Sequence, residues 1–212
     1  MINYKTVIET SEAFYEINRS RFITHVAHVE TEEAAREFIH AMKKKYFDAR
    51  HNCSAYVIGE SSNLQKSYDD GEPGGTAGNP ILEAIKKNAL SDIVLVVTRY
   101  FGGIKLGASG LIRAYGHSAV LGIDAAAIVE KTLFRRIVMT IDYTLSGTIE
   151  NFLRINKIII ENKEYSNKVC LTLLLRKEKA NKFITLLIDL TAARCHFEEL
   201  GETYVNIPIL FK

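Results

Sequence analysis

Residues 69–116 constrain the fold most, because they hold two glycine-rich loops that each run into a helical pattern. The run Ile93-Val94-Leu95-Val96-Val97 between the loops has no polar face, which is typical of a central strand buried on both sides. Such loops place backbone N–H groups at helix N-termini, where anions are commonly bound. We therefore expect the candidate site at these two loops.

The second loop, residues 99–113, is basic as well as rich in glycine. Ser109 is expected to cap the helix that follows, which should run to about Ala126. The free N–H groups of that helix, together with the basic side chains, would attract phosphate. The candidate binding residues of this loop are Arg99, Gly102, Gly103, Lys105, Gly107, Ser109 and Arg113.

A purely structural interpretation of the second loop stays open. Its glycines could serve only the tight packing of helix against strand. The loop has neither the Walker A order Gly-Lys-Ser/Thr nor the dinucleotide fingerprint GxGxxG. Tyr100 and Phe101 could stack on nucleic-acid bases, but burial at the end of the sheet is the favoured expectation.

The first loop, residues 69–80, is acidic. Its three carboxylates could hold a hard cation such as magnesium, or could pair with the basic side chains of the second loop. Pairing is favoured, and no metal is expected, because carboxylates without a full ligand set rarely bind one. Asn79 is expected to cap a helix over about 81–88, with Pro80 at its first position. The candidate binding residues of this loop are Asp69, Asp70, Glu72, Gly75 and Thr76.

His51 and Cys53 lie two apart on a predicted strand over 51–59, so they share one face. A thiolate–imidazole pair is one interpretation. A buried cysteine beside a surface histidine is favoured. The three cysteines of the chain are unclustered, which argues against disulfides and structural zinc and fits a reduced, cytoplasmic setting. No cofactor is expected and no catalytic residue is assigned, so enzyme activity is the less favoured class.

The remaining pattern predicts two domains. In the first, a strand over 19–29 precedes a helix that opens at Thr31 and faces the core with Ala35, Phe38 and Ile39. Residues 61–66 are expected to form a polar turn. The pattern of predicted elements starts anew near residues 131–135. The order βαββαβ that follows suggests a ferredoxin-like domain. Its predicted strands are 137–143, 157–162, 169–176 and 202–210, and its predicted helices are 147–156 and 178–190.

The chain resembles the YigZ/IMPACT family of small translation-linked proteins. The resemblance rests on both loops and on three motifs, Ser20-Arg21-Phe22-Ile23, Ala49-Arg50-His51-Asn52-Cys53 and Val97-Thr98-Arg99-Tyr100-Phe101-Gly102-Gly103. It implies a signature domain over residues 1–133, with the β-rich α+β fold of a ribosomal-protein domain and of domain IV of elongation factor G. It also implies a ferredoxin-like domain over residues 134–212, similar to domain V of that factor. The pattern matches bacterial members, which lack the RWD domain of eukaryotic relatives.

The family's pattern also implies that Arg21 and His51 share one surface with the residues of the two loops. This chain departs from the pattern at a few positions. Asn18 stands where a lysine is usual, Asn79 stands where arginine or lysine usually precedes proline, and Ala108-Ser109 replaces Thr-Gly. The two lost positive charges weaken an anion site.

Three functions follow from these observations. The favoured one is a translation-linked regulatory binding protein that contacts RNA or the ribosome through residues 99–113, with salt-dependent binding. The alternative is a protein–protein interaction module that regulates a translation or stress factor, with the second domain as its docking surface. A metal-dependent hydrolase that uses Asp69, Asp70 or Glu72 is the third and least favoured. The formal net charge of +2 does not decide among them.

Overall fold

The computed structural model describes residues 3–209, which divide into two compact units. The first unit holds residues 3–131 with 207–209, and the second holds residues 132–206. Each unit combines a sheet with helices around its own buried core, so the chain has the α+β class that the sequence predicted. The outermost residues of the two predicted domains, 1–2 and 210–212, lie outside the described residues.

The first unit is built on an antiparallel sheet with β6 at its centre. The strands of the unit are β1 (Tyr4–Val7), β2 (Ser11–Ile17), β3 (Ser20–His28), β4 (His51–Ile58), β5 (Leu64–Tyr68) and β6 (Ile93–Tyr100). The sheet has the order β2-β3-β6-β4-β5, and every neighbouring pair is antiparallel. Residues 93–99 of β6 are buried, which confirms the prediction of a central strand. Strand β1 instead pairs with residues 128–131.

Helices cover both faces of this sheet. They are α1 (Glu32–Lys45), α2 (Gly78–Lys87) and α3 (Gly107–Asp124). As predicted, the Thr31 hydroxyl caps α1 by accepting the N–H of Ala34 at 3.1 Å, and Phe38 and Ile39 pack against the core around Ala35. The α1 core includes Val94, whereas the α2 and α3 core includes the alternate residues of β6, so the helices lie on opposite faces.

The second unit follows the predicted element order βαββαβ. Its elements are β7 (Ile128–Ile141), α4 (Tyr143–Ile155), β8 (Ile159–Tyr165), β9 (Val169–Arg176), α5 (Ala180–Leu190) and β10 (Cys195–Pro208). The strands pair in the order β10-β7-β9-β8, and the two pairs that involve β9 are antiparallel. Apolar residues of α4, α5 and the strands, among them Leu153, Leu187 and Leu173, form one buried core.

Several strand boundaries differ from the sequence predictions. Residues 61–66 are not simply a polar turn, because β5 begins at Leu64 and pairs with β4 from Leu64↔Ile58 to Tyr68↔Ser54. Strands β1 and β2 were not predicted. Strand β7 begins at Ile128, so the pattern reset at 131–135 lies inside a strand. Strand β5 lies at the sheet edge and carries polar side chains. A prediction based on runs of apolar residues therefore does not detect it.

Both helices that follow the glycine-rich loops begin earlier than predicted. Helix α2 begins at Gly78, and the Asn79 Oδ1 accepts the hydroxyl of Ser67 at 2.9 Å instead of capping the helix. Helix α3 begins at Gly107, so Ser109 lies within its first turn and forms no cap. Between residues 3 and 209, every helix is too short or too polar to cross a membrane.

Candidate functional site

The two glycine-rich loops meet at Glu72. Its Oε1 accepts a hydrogen bond from Arg99 Nη1 at 2.7 Å and another from the Tyr115 hydroxyl at 2.8 Å. The side chains of Arg99 and Glu72 are only 7% and 4% exposed. The guanidinium also lies over the rings of Phe22 and Phe101, at 5.7 and 5.5 Å. The expected pairing between the loops is therefore confirmed for Glu72.

Asp69 closes the first loop on the backbone that follows it. One carboxylate oxygen accepts the N–H of Gly75 at 2.8 Å, and the other accepts those of Ala77 and Gly78 at 3.0 and 2.8 Å. Partial burial acts to raise the pKa of Asp69, but these three N–H groups outweigh it and hold the pKa below its usual value. Asp69 thus provides the cap that Asn79 was expected to provide.

The carboxylate of Asp70 has different hydrogen-bond partners from those of Glu72 and Asp69. Its carboxylate accepts the N–H of Asn52 at 2.7 Å and pairs with the ammonium group of Lys43. Its φ of 45° lies in the left-handed region, and its carbonyl oxygen lies 3.0 Å from His51 Nδ1. The expected pairing with the second loop is therefore wrong for Asp69 and Asp70. The three carboxylates point to three separate sets of donors. Among residues 3–209, no cluster of His, Cys, Asp and Glu is suited to a metal ion.

Cys53 is fully buried in the core of the first unit. Its thiol donates to the Asp69 carbonyl oxygen at 2.9 Å, and burial raises the pKa of the thiol to about 12. A thiolate is the reactive form of cysteine, and this environment disfavours it. The favoured interpretation, a buried cysteine beside a surface histidine, is confirmed for the burial of Cys53, whereas His51 is only partly exposed.

The loop glycines serve two different purposes. A Cβ on Gly102 would lie 2.0 Å from the backbone carbon of Arg19, so this position requires close backbone approach. Gly107 has a φ of +72° and has open space where a Cβ would stand, so its requirement is conformational. Neither glycine serves the packing of helix against strand, because Gly102 approaches the backbone of the turn between β2 and β3 and Gly107 has open space at its Cβ position. In the first loop, the buried Thr76 donates to the Pro73 carbonyl oxygen at 2.7 Å, which is a structural role.

A pocket of about 300 Å³ lies between the two loops. Its walls come from Glu72 and Pro73 of the first loop, from the end of β6 and the start of α3, and from the residues just before β4. Its basic residues are Arg50, His51, Arg99 and Lys105. Within residues 3–209, no carboxylate lies within ion-pair distance of Arg50 or Lys105, and Arg99 Nε is a buried nitrogen without a hydrogen-bond acceptor. These features suit an anionic ligand.

The remaining predicted residues lie outside this pocket. Arg21 stacks over the ring of Tyr100 at 5.1 Å, and Arg113 is exposed on α3.

Phe101 was expected to be buried, but it is 53% exposed and lines the pocket. The end of the sheet leaves its ring uncovered. Arg50, which the site prediction omitted, also lines the pocket; its position directly before the strand of His51 was the available signal.

Comparisons with known proteins identify the family of this chain. The family model of the Impact N-terminal domain matches residues 18–123, and that of a domain of unknown function, DUF1949, matches residues 139–194. The IMPACT family member YvyE of Bacillus subtilis (strain 168) is 46% identical over 96% of this chain and 94% of its own length. YigZ of Escherichia coli (strain K12) is 36% identical over 82% of this chain and 86% of its own.

A crystal structure of a hypothetical protein superposes with a TM-score of 0.61 at 33% identity, and covers 93% of this chain and 97% of the other. The likeness therefore extends over both units in sequence and in fold. The resemblance noted from the motifs is confirmed, and the chain belongs to the IMPACT family.

Proposed function

We propose that this protein is a translation-linked regulatory protein that contacts RNA, with the ribosome as the expected source, through residues 99–113. The observation that carries the proposal is the basic pocket where the second loop meets the first. There Lys105 and Arg50, which have no ion-pair partner among residues 3–209, line the same pocket as the buried Arg99 and the first turn of an 18-residue helix. Such an arrangement favours phosphate, the group that RNA repeats along its backbone.

Arg113 and Arg21 are further basic residues of the proposed contact surface. Both are exposed, and within the described residues Arg113 has no ion-pair partner. Proteins that bind single-stranded RNA often stack its bases on aromatic rings. The exposed ring of Phe101 is available for such stacking. The surface implied by the family's pattern is thus proposed as a phosphate-binding centre with an aromatic rim.

The fold types that the resemblance implied belong to the same proposal. The strand order β10-β7-β9-β8 with its βαββαβ sequence supports a ferredoxin-like second domain after a boundary near residue 133. We likewise propose an elongation factor G domain IV type for the first domain and a cytoplasmic location. The translation link that the family resemblance implied is consistent with these assignments.

Co-sedimentation with ribosomes on a sucrose gradient tests the proposal. The wild type should migrate with ribosomes at low salt and be released as the salt rises from about 50 to 200 mM, because phosphate contacts release counterions. Lys105→Glu/Arg113→Glu should stay at the top of the gradient. Lys5→Glu/Lys182→Glu makes the same charge change at two exposed lysines outside the loops and should migrate as the wild type does.

Free protein at the top of the gradient at every salt concentration would remove the ribosome from the proposal. Equal migration of both charge-reversal variants would show that overall charge, and not the second loop, makes the contact.

A protein-interaction function is the second candidate. In the second unit the rings of Tyr143 and Tyr165 stack at 6.4 Å while 51% and 59% exposed, which is typical of a small docking surface. Co-migration that survives nuclease treatment and high salt would favour this candidate over RNA contact. The hydrolase alternative gains no such support, because Asp69, Asp70 and Glu72 are each held by protein donors.

A further inference from the structure

Arg99 lines the pocket between the loops and has an unused donor. The residue is 6% exposed, and its Nε has no acceptor in the described part of the chain, although its Nη1 is bonded to Glu72. Buried guanidinium groups normally use their donors, because leaving one unpaired forfeits its hydration without replacement. Since Arg99 lines the pocket, an anionic ligand there would supply the missing acceptor.

The start of α3 presents further unused donors to the same pocket. Leu106, Gly107 and Ala108 line it, and the helix has neither a side-chain cap nor an acidic residue in its first turn. The first N–H groups of a helix have no partner within the helix, and its dipole adds positive potential at this end. Arg99 and the helix start are separate elements of the fold that favour the same kind of ligand.

The charge of the pocket indicates which anion fits. Its lining includes three permanent cations, Arg50, Arg99 and Lys105, and one carboxylate, Glu72, so two positive charges are in excess. An internal phosphodiester of RNA carries one negative charge. A phosphate monoester carries roughly 1.5 to 2 at pH 7, which matches the excess better.

The size of the pocket favours a chain end. Its volume of about 300 Å³ is at the lower limit of ligand pockets, and the buried Arg99–Glu72 pair forms part of its lining. An internal phosphodiester must continue in two directions, whereas a terminal phosphate enters from one. The half-exposed ring of Phe101 also lines the pocket and can stack with the terminal base.

We propose that this pocket binds the phosphate monoester at the end of an RNA strand. The inference rests on the proposed RNA contact and specifies its ligand. The donors are Arg99 Nε, the first N–H groups of α3, and the side chains of Lys105 and Arg50.

Fluorescence anisotropy with one short single-stranded RNA in three forms tests the inference: 5′-phosphate, 3′-phosphate and hydroxyl at both ends. One phosphorylated form should bind the wild type about tenfold or more tightly than the hydroxyl form, as charge-assisted hydrogen bonds would provide. Lys105→Ala and Arg50→Ala should each reduce that ratio severalfold. Lys5→Ala, an exposed lysine on β1, should leave it unchanged.

Ala108→Asp separates ligand binding from folding. A carboxylate at this exposed position complements the helix dipole, so the variant should fold. The same carboxylate repels phosphate, so the preference for a phosphorylated end should disappear.

Equal affinity of the wild type for all three RNAs would overturn the inference, while salt-dependent binding of all three would leave the proposed RNA contact standing. No binding of any form would overturn both. Inorganic phosphate that competes as strongly as the phosphorylated RNA would overturn the RNA end as the ligand. A preference that persists in Ala108→Asp would overturn the position of the site.

Discussion

The carboxylate of Glu72 connects two loops that are separated by a helix and a strand. Arg99 and Tyr115 both donate to its Oε1 inside the core of the first unit. Burying two charges costs hydration, so the pair is not a strong source of stability, but removing one partner leaves a buried charge uncompensated. Burial and the neighbouring Cys53 and Glu72 raise the pKa of Tyr115, so its hydroxyl stays a donor. The pair therefore joins the two loops at the pocket that both residues line.

Asp69→Asn should destabilise the protein in a pH-dependent way. The folded-state pKa of Asp69 is lowered, so its charge stabilises the fold above the unfolded pKa of about 3.9, and that contribution is lost as the pH falls through the folded value. At pH 7 the variant should lose about 1–2 kcal/mol of unfolding free energy, because an amide oxygen replaces a charged cap. Urea unfolding at pH 7 and near pH 3 measures the difference.

The loss caused by Asp69→Asn should shrink at the lower pH, where the wild-type carboxyl is increasingly protonated. Asp124→Asn changes an exposed carboxylate and should remain within about 0.5 kcal/mol of the wild type at both pH values. A loss that is equal at both pH values would show that the geometry of the side chain, and not its charge, supports the loop.

Helix starts show which parts of the fold the sequence can predict. The start of α1 was predicted correctly, because its cap Thr31 is adjacent in sequence. The start of α2 was placed too late, because its N–H groups are satisfied by Asp69, a cap from outside the helix. The start of α3 was also placed too late, because no side chain caps it and Ser109 offered a misleading signal. A local sequence pattern therefore predicts only those caps that are adjacent to the helix in sequence.

Ala108→Asp should stabilise the free protein. The first turn of α3 has no acidic residue, so a carboxylate there gains from the dipole and from the free N–H groups, about 0.3–1 kcal/mol at low salt. Thermal unfolding should show a higher midpoint, and the gain should decline with added salt. Ala125→Asp places the same charge at the C-terminal end of α3 and should lower the midpoint. A lower midpoint for both variants would indicate that the start of α3 is already compensated.

The residues that line the pocket were more predictable than their arrangement. The sequence indicated both loops and most of the basic residues. It did not indicate which carboxylate pairs with which cation, because that depends on strand register: Arg99 of β6 lies opposite His51 of β4 and Phe22 of β3. That register brings Arg50 and His51 to the pocket, whereas Arg113 lies away from it. The βαββαβ order of the second unit followed from pattern alone, since its apolar runs are regular.

All residues that line the pocket belong to the first unit, so damage to the second core should not affect it. Leu173 on β9 is fully buried, and Leu173→Ala should lower the unfolding free energy of the second unit by about 2–5 kcal/mol by leaving a cavity. Affinity for phosphorylated RNA should stay at the wild-type value at any temperature where the variant is folded. Lys105→Ala is the reciprocal control, because it should weaken binding without lowering stability. Reduced affinity of folded Leu173→Ala would mean that the second unit contributes directly to RNA binding.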